Sequence, residues 1–332
     1  MNLSLLTVAA EAPAGTNFAN FDVAAWQWGA FLAVVAALLL IDVLLVHRTA
    51  HAVTFKEAAV ESAVWITIGL SFTLVILLWQ GGQASGEYLA GYLIEKSLSV
   101  DNVFVWAVIF SYFRVPAEYQ FRVLFWGIFG ALVLRAIFIF AGVALIERFD
   151  FVLYVFGALL LYSAFKIARH QEAEVHPEKS VVLRAVRRII PSTNEYDGQR
   201  IFTRVDGRRL ATPLFAVLVL IESTDVVFAV DSIPAILAVS REPFIVFSSN
   251  AFAILGLRAL YFLLSGMAGR FRYLNLGLGV ILGFVGIKML VAEVYHFPTW
   301  VSLLVITVVL TVAIAASVRA DSREHAGKLG GG

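Results

Sequence analysis

"GYLIEKSLSVDNVFVWAVIF", residues 91–110, is apolar enough to lie in lipid, yet it carries Glu95, Lys96, Asp101 and Asn102. About 120 residues later the pattern returns in "VLVLIESTDVVFAVDSIPAILAV", with Glu222, Asp225, Asp231 and Ser232. An ionised side chain in hydrocarbon costs several kcal/mol, so such residues face a cavity or one another, and they mark candidate sites. The two stretches predict membrane helices with a polar interior.

The rest of the chain agrees. Its 332 residues are 60% hydrophobic and 15% charged, with a mean hydropathy of +0.86. A soluble domain is about 45–50% apolar and about 25% charged. Nine apolar segments are read, at 25–46, 58–79, 88–110, 121–144, 150–168, 213–239, 243–265, 273–292 and 299–317, each near the length of a bilayer crossing. The N-terminal "MNLSLLTVAAEAPAGTN" has no basic region before its short apolar core, so insertion is expected to begin with the first span. With the N-terminus outside, 18 of the 25 Lys and Arg fall on the cytoplasmic side and only Arg148 and Arg241 outside. That asymmetry predicts an inner-membrane protein with nine spans and a cytoplasmic C-terminus. The fold class expected is all-α, polytopic. Cysteine is absent, which excludes disulfides and thiol redox chemistry.

An internal repeat organises the spans. Asp101 aligns with Asp231, "GIFGALVLRAIFIFAG" (127–142) with "NAFAILGLRALYFLLS" (250–265), and "GALLLYSAFK" (157–166) with "GVILGFVGIK" (279–288). Segments three to five therefore match segments six to eight. Three spans per unit is an odd number, so the second unit enters from the opposite side. Such 3+3 inverted repeats characterise many secondary transporters, with sites at the repeat interface. The chain divides into an extracytoplasmic tail (1–24), two accessory helices (25–87), a first repeat (88–168), a cytoplasmic connector (169–212), a second repeat (213–292) and a last helix with its tail (293–332). Within the connector, "QRIFTRVDGRRLATP" alternates around Asp206-Gly207, a type I′ hairpin signal. The hairpin is read first as a solvated cap, with a basic regulatory or lipid-facing patch as the other reading.

Five embedded carboxylates, Glu95, Asp101, Glu222, Asp225 and Asp231, face three embedded bases, Lys96, Arg135 and Arg258. The excess is what a divalent cation would neutralise. The two arginines are read first as structural ion pairs. Asp42, Glu61, Lys166 and Lys288 lie near segment ends and are expected to snorkel to the interface. Trp26, Trp28, Trp65, Trp79 and Trp300 are assigned to interface belts. The embedded groups offer carboxylate, amide and hydroxyl oxygen and no thiolate or imidazole, which favours hard cations such as manganese, calcium or magnesium. Helix geometry sets a limit: Glu95 and Asn102, seven apart, share a face, while Asp101 is turned by about 100° from Asn102. Glu222 and Asp231, nine apart, point in opposite directions, so Pro234 is expected to break the helix near Asp231.

These segments, "EKSLSVDNVFV", "EYDGQRIFTRVDGRRLATPL" and "ESTDVVFAVDSIPAI", resemble the signatures of the TerC family of integral membrane proteins, within the LysE-type transporter grouping. "LLLIDVLLVHR" fits as well, and the resemblance runs over about 27–317. It implies manganese export or metal homeostasis, associated with tellurium resistance and a redox-modulator label, and carries the acidic pattern onto Glu95, Asp101, Asn102, Glu222, Asp225, Asp231 and Ser232 as metal-site residues. Lys96, Arg135 and Arg258 are the supporting ion pairs. The expected protein is a transporter exporting Mn²⁺ through that site, with proton exchange on Glu95 or Glu222. Its partners are the cation and the bilayer, with no permanently bound cofactor and no nucleic acid; protein partners are left open. The alternative is a non-transporting membrane scaffold or insertion factor whose buried charges hold the bundle together. An enzyme is not expected, since no histidine metal pair, nucleophile–base pair or phosphate loop is present.

Overall fold

In the computed structural model the residues described are 18–42, 53–149, 151–169, 181–205, 207–264, 273–292, 294–295 and 297–329. Ten helices and one hairpin follow in the order α1 (Ala25–Ile41), α2 (Phe55–Phe113), α3 (Ala117–Arg148), α4 (Phe151–Ala168), α5 (Val181–Ile189), β1 (Phe202–Val205), β2 (Arg208–Ala211), α6 (Pro213–Leu237), α7 (Pro243–Leu255), α8 (Leu257–Leu264), α9 (Leu274–Leu290) and α10 (Thr299–Leu329). Over their described residues, each of the nine apolar segments is helical. Among the described residues, α2, α3, α4, α6, the α7–α8 pair and α10 are long and apolar enough to cross a membrane, while α1 and α9 are shorter apolar helices.

The starts of the helices are written locally. Thr54 and Glu57 form a reciprocal capping box on α2. Proline opens both α6 and α7, where its missing N–H removes no helical bond. The long α2 is two limbs. Gly81 sits at φ 86°, ψ −175°, and the chain folds back there. The Ser85 hydroxyl then donates to the Thr73 carbonyl at 3.1 Å and the Tyr88 hydroxyl to the Gly69 carbonyl at 2.9 Å. The Tyr92 ring lies over Gly69, where a Cβ would sit 2.5 Å from Cε2. The break thus falls six residues before the expected domain boundary at 87/88.

The α7–α8 pair is the centre of the bundle, with 94% of its apolar window buried. Other helices bury one face and turn Leu74, Leu78, Ile137, Val155, Val227 and Val312 outward, as lipid contact requires. Small residues let the helices approach: Gly91 meets Ser249 and Gly142 meets Leu237. The matched helices α4 and α9 pack on one another. A Cβ on Gly286 would lie 2.9 Å from the Gly157 carbonyl, and one on Gly279 3.5 Å from the Ala164 carbonyl. The sequence matching of 157–166 with 279–288 exchanges these two contacts.

The connector holds the expected hairpin. Arg204 pairs with Arg209 and Val205 with Arg208, leaving a two-residue turn with Gly207 at φ 75°; Asp206 itself lies outside the described residues. The basic helix α5 was not anticipated. Several expectations fail. α6 runs unbroken past Asp231, because Pro234 falls in its last turn and the helix ends three residues later at Leu237. The break occurs instead at Gly256, between α7 and α8. Asp42 and Lys288 do not snorkel; both are 6% exposed, and Glu61 is also turned inward on an ion pair. Trp65 is buried beside Gly256 rather than in an interface belt.

Candidate cation site

Helical spacing builds the site. Glu95 and Asn102 in α2 are two turns apart and share a face, and Asp225 and Ser232 in α6 have the same spacing. The 130-residue offset that aligns Asp101 with Asp231 also aligns Glu95 with Asp225 and Asn102 with Ser232. These two matched pairs meet. The Asn102 amide donates to Asp225 Oδ1 at 3.4 Å, and all four side chains are 0–3% exposed.

Arg135 of α3 stands between them, 1% exposed. Its Nη1 donates to Glu95 Oε1 and, at 3.2 Å, to Ser232 Oγ. Its Nε and Nη2 hold Asp225 as a fork, at 3.3 and 3.0 Å, the bidentate geometry that guanidinium favours. From α7, the Asn250 amide donates to Glu95 Oε2 at 3.1 Å, and the Ser99 hydroxyl stands 3.5 Å from Glu95 Oε1. The sequence reading passed over Asn250, although a lone amide eight residues before Arg258 in an apolar helix is a signal of the same kind. Two details favour a ligand. Two carboxylates share one guanidinium, and the amide oxygens Oδ1 of Asn102 and Asn250 are buried without a donor. An unmet buried acceptor costs about 1–3 kcal/mol. The arrangement therefore offers two carboxylates, two amide oxygens and hydroxyls to a hard cation, in competition with Arg135.

The rest of the expected site does not converge. Asp231 accepts from the Ser163 hydroxyl of α4 at 2.6 Å. Asp101 is half-buried on a different face from Asn102. Glu222 packs its carboxylate on Gly130 of α3, where a Cβ would lie 2.0 Å from Oε1, and its Oε2 is buried without a donor. Among the described residues no three acidic or imidazole side chains come together, and Asp101, Glu222 and Asp231 stand apart from the Glu95–Asp225 cluster. The cause is the unbroken α6: residues nine apart cannot aim at one point.

The supporting cations also divide. Arg258, the sequence match of Arg135, pairs with Asp42 at the end of α1 and Glu61 in α2, and lies 4.3 Å from the Phe121 ring. Lys96 makes no salt bridge among the described residues. Its Nζ donates to the Ala253 carbonyl at 3.2 Å, at the C-terminus of α7, where the break at Gly256 frees carbonyls and the helix dipole favours a cation. A further buried acid, Glu87, fastens the N-terminal segment. It accepts from the Ala19 N–H and the Ser240 hydroxyl, both at 2.7 Å.

Comparison with known proteins adds an independent line. The profile of the integral membrane protein TerC family matches residues 80–325. An uncharacterized membrane protein of Myxococcus xanthus, STKORF319, is 50% identical over 88% of this chain and 91% of its own. A putative membrane-bound redox modulator, Alx, of Escherichia coli O157:H7 is 49% identical over 91% of this chain and 97% of its own. An uncharacterized membrane protein of Rickettsia bellii is 37% identical over 88% and 97%. No solved structure matches.

Proposed function

The chain belongs to the TerC family of integral membrane proteins, and we propose that it is a secondary transporter that exports a hard divalent cation, manganese first. Its site is Glu95, Asn102, Asp225, Ser232 and Asn250, with Arg135 as a tethered cation that occupies the carboxylates when the cargo is absent. One observation carries this reading: two carboxylates from matched positions meet in the buried interior beside two amide oxygens that lack donors. Arg135 supplies the release step: a guanidinium returning to Glu95 and Asp225 pairs with the carboxylate charges that hold the ion. Residues 88–168 and 213–292 act as inverted repeats about that point, a reading supported by the exchanged α4–α9 contacts. Proton exchange is assigned to Glu222, whose Oε2 is buried without a donor. The protein lies in the inner membrane with its N-terminus outside and C-terminus in the cytoplasm, as the placement of Lys and Arg suggests. It carries no catalytic centre and no resident cofactor in this reading. The redox label of relatives such as Alx then follows indirectly, because the chain has no thiol.

A second reading is favoured by the completeness of Arg135's engagement, which would equally suit a scaffold whose charges fasten α2, α3 and α6. Manganese flux into liposomes containing the purified protein separates the two. The transporter reading expects flux in the wild type that disappears in Glu95→Gln/Asp225→Asn when flux is compared at equal folded fraction, since that variant also leaves Arg135 without its carboxylates. A folded wild type that moves no manganese, calcium or magnesium sinks it in favour of the scaffold.

A further inference from the structure

The connector carries chemistry that cation transport does not use. Strand β1 sets Arg204 directly opposite Arg209 on β2, and like charges facing one another across a hairpin are destabilising. Both arginines are exposed and, with Arg200, they border one open depression of about 370 Å³ lined also by Phe202, Thr203 and Asp197. The walls are preset. The Arg209 guanidinium lies 4.6 Å from the Phe202 ring centre. Arg200 Nη1 donates to Asp197 at 3.3 Å, and the Thr203 hydroxyl donates to the same carboxylate oxygen at 2.6 Å. Those bonds hold the Asp197 carboxyl below its ordinary range, so it is ionised and the depression carries three positive charges against one negative. It also sits against the end of the bundle: the Tyr196 hydroxyl donates to the Phe113 carbonyl at 2.8 Å and the Gln199 amide to the Glu118 carbonyl at 3.1 Å. Exposed Arg184 and Arg188 on α5 belong to the same connector.

We infer that this depression binds a phosphate group, with Arg204 and Arg209 as the opposed pair that it bridges and Arg200 as a third contact. Guanidinium forks match phosphate oxygens two at a time, and an anion between the opposed arginines removes their repulsion. The phosphate has two possible sources: the headgroup of an anionic lipid or a free phosphate compound. The inference does not rest on the transport reading.

The full chain in detergent tests it in two arms. In one, phosphatidylglycerol or phosphatidylcholine is added and bound lipids are counted by native mass spectrometry. In the other, inorganic phosphate is titrated against chloride of equal ionic strength and unfolding temperature is followed. The variants are Arg204→Ala/Arg209→Ala, Arg209→Lys, and Arg148→Ala as a control at an exposed arginine elsewhere. A lipid source predicts a phosphatidylglycerol adduct at least tenfold weaker in the double variant, intermediate in Arg209→Lys and unchanged in Arg148→Ala, with no response to phosphate. A free source predicts a saturable phosphate response with the same dependence on the variants. If the wild type responds to neither probe, or if the double variant binds as the wild type does, the inference is overturned and the arginines are simply solvated.

Discussion

Replacing Arg135 with Gln tests the central reading most directly. In the wild type this side chain donates to Glu95, twice to Asp225 and to Ser232, all of them buried. Each hydrogen bond to a charged group contributes about 1.5–3 kcal/mol, and removing one member of a buried ion pair costs about 3–5 kcal/mol because a naked charge remains. Gln keeps a polar amide but is two bonds shorter than Arg and carries no charge, so two carboxylates would share the interior with no counter-charge. A destabilisation of about 3–5 kcal/mol is expected. If Arg135 stands in for the cargo, the cargo can stand in for Arg135. Manganese at about 100 times its dissociation constant stabilises a folded state by about 2.7 kcal/mol, so it should recover most of the loss in Arg135→Gln while affecting the wild type less. The assay is thermal or denaturant unfolding of the detergent-solubilised protein, with and without manganese, for the wild type, Arg135→Gln, Glu95→Gln and the double variant. Adding Glu95→Gln should relieve part of the damage, with a coupling of about 1–3 kcal/mol, and should abolish the manganese recovery. A variant within about 0.5 kcal/mol of the wild type would refute the energetic argument. A destabilised variant indifferent to manganese would refute the tethered-cation role and leave Arg135 as structural glue.

Three other substitutions separate transport from scaffolding. Gly130→Ala puts a methyl 2.0 Å from Glu222 Oε1; flux measurements should show reduced transport in a folded protein, partly restored by adding Glu222→Asp, which is one methylene shorter. Arg258→Gln removes the partner of Asp42 and Glu61 and should cost about 3–5 kcal/mol in unfolding, with no manganese recovery because no cargo site is assigned there. Gly69→Ala collides with the Tyr92 ring at 2.5 Å, an overpacking worth about 1–3 kcal/mol; melting should report it, while cation affinity measured on the folded fraction stays unchanged.

Much of this was legible without coordinates because it depends on spacing and composition. Runs of about 20 apolar residues have few alternatives to a membrane helix. Asp206-Gly207 marked the hairpin. The same periodicity already separated Asp101 from Asn102, and Glu222 from Asp231; the error was to expect Pro234 to overrule it. A proline in the last turn ends a helix rather than opening its middle, so α6 kept its geometry and Asp231 kept its distance.

The sequence by itself determined an all-α membrane protein, the matched stretches around Glu95 and Asp225, and the need to shelter their charges, since each follows from local pattern and the cost of charge in hydrocarbon. Only the tertiary structure decided which charge answers which. Arg135 and Arg258 occupy matched positions in the sequence, yet one forks Asp225 and meets Glu95 while the other joins Asp42 and Glu61. Partners 40 to 216 residues apart are chosen by how helices cross, where small residues admit close approach and where a chain breaks, as at Gly81 and Gly256. Those are properties of packing between helices, and no spacing within one helix encodes them.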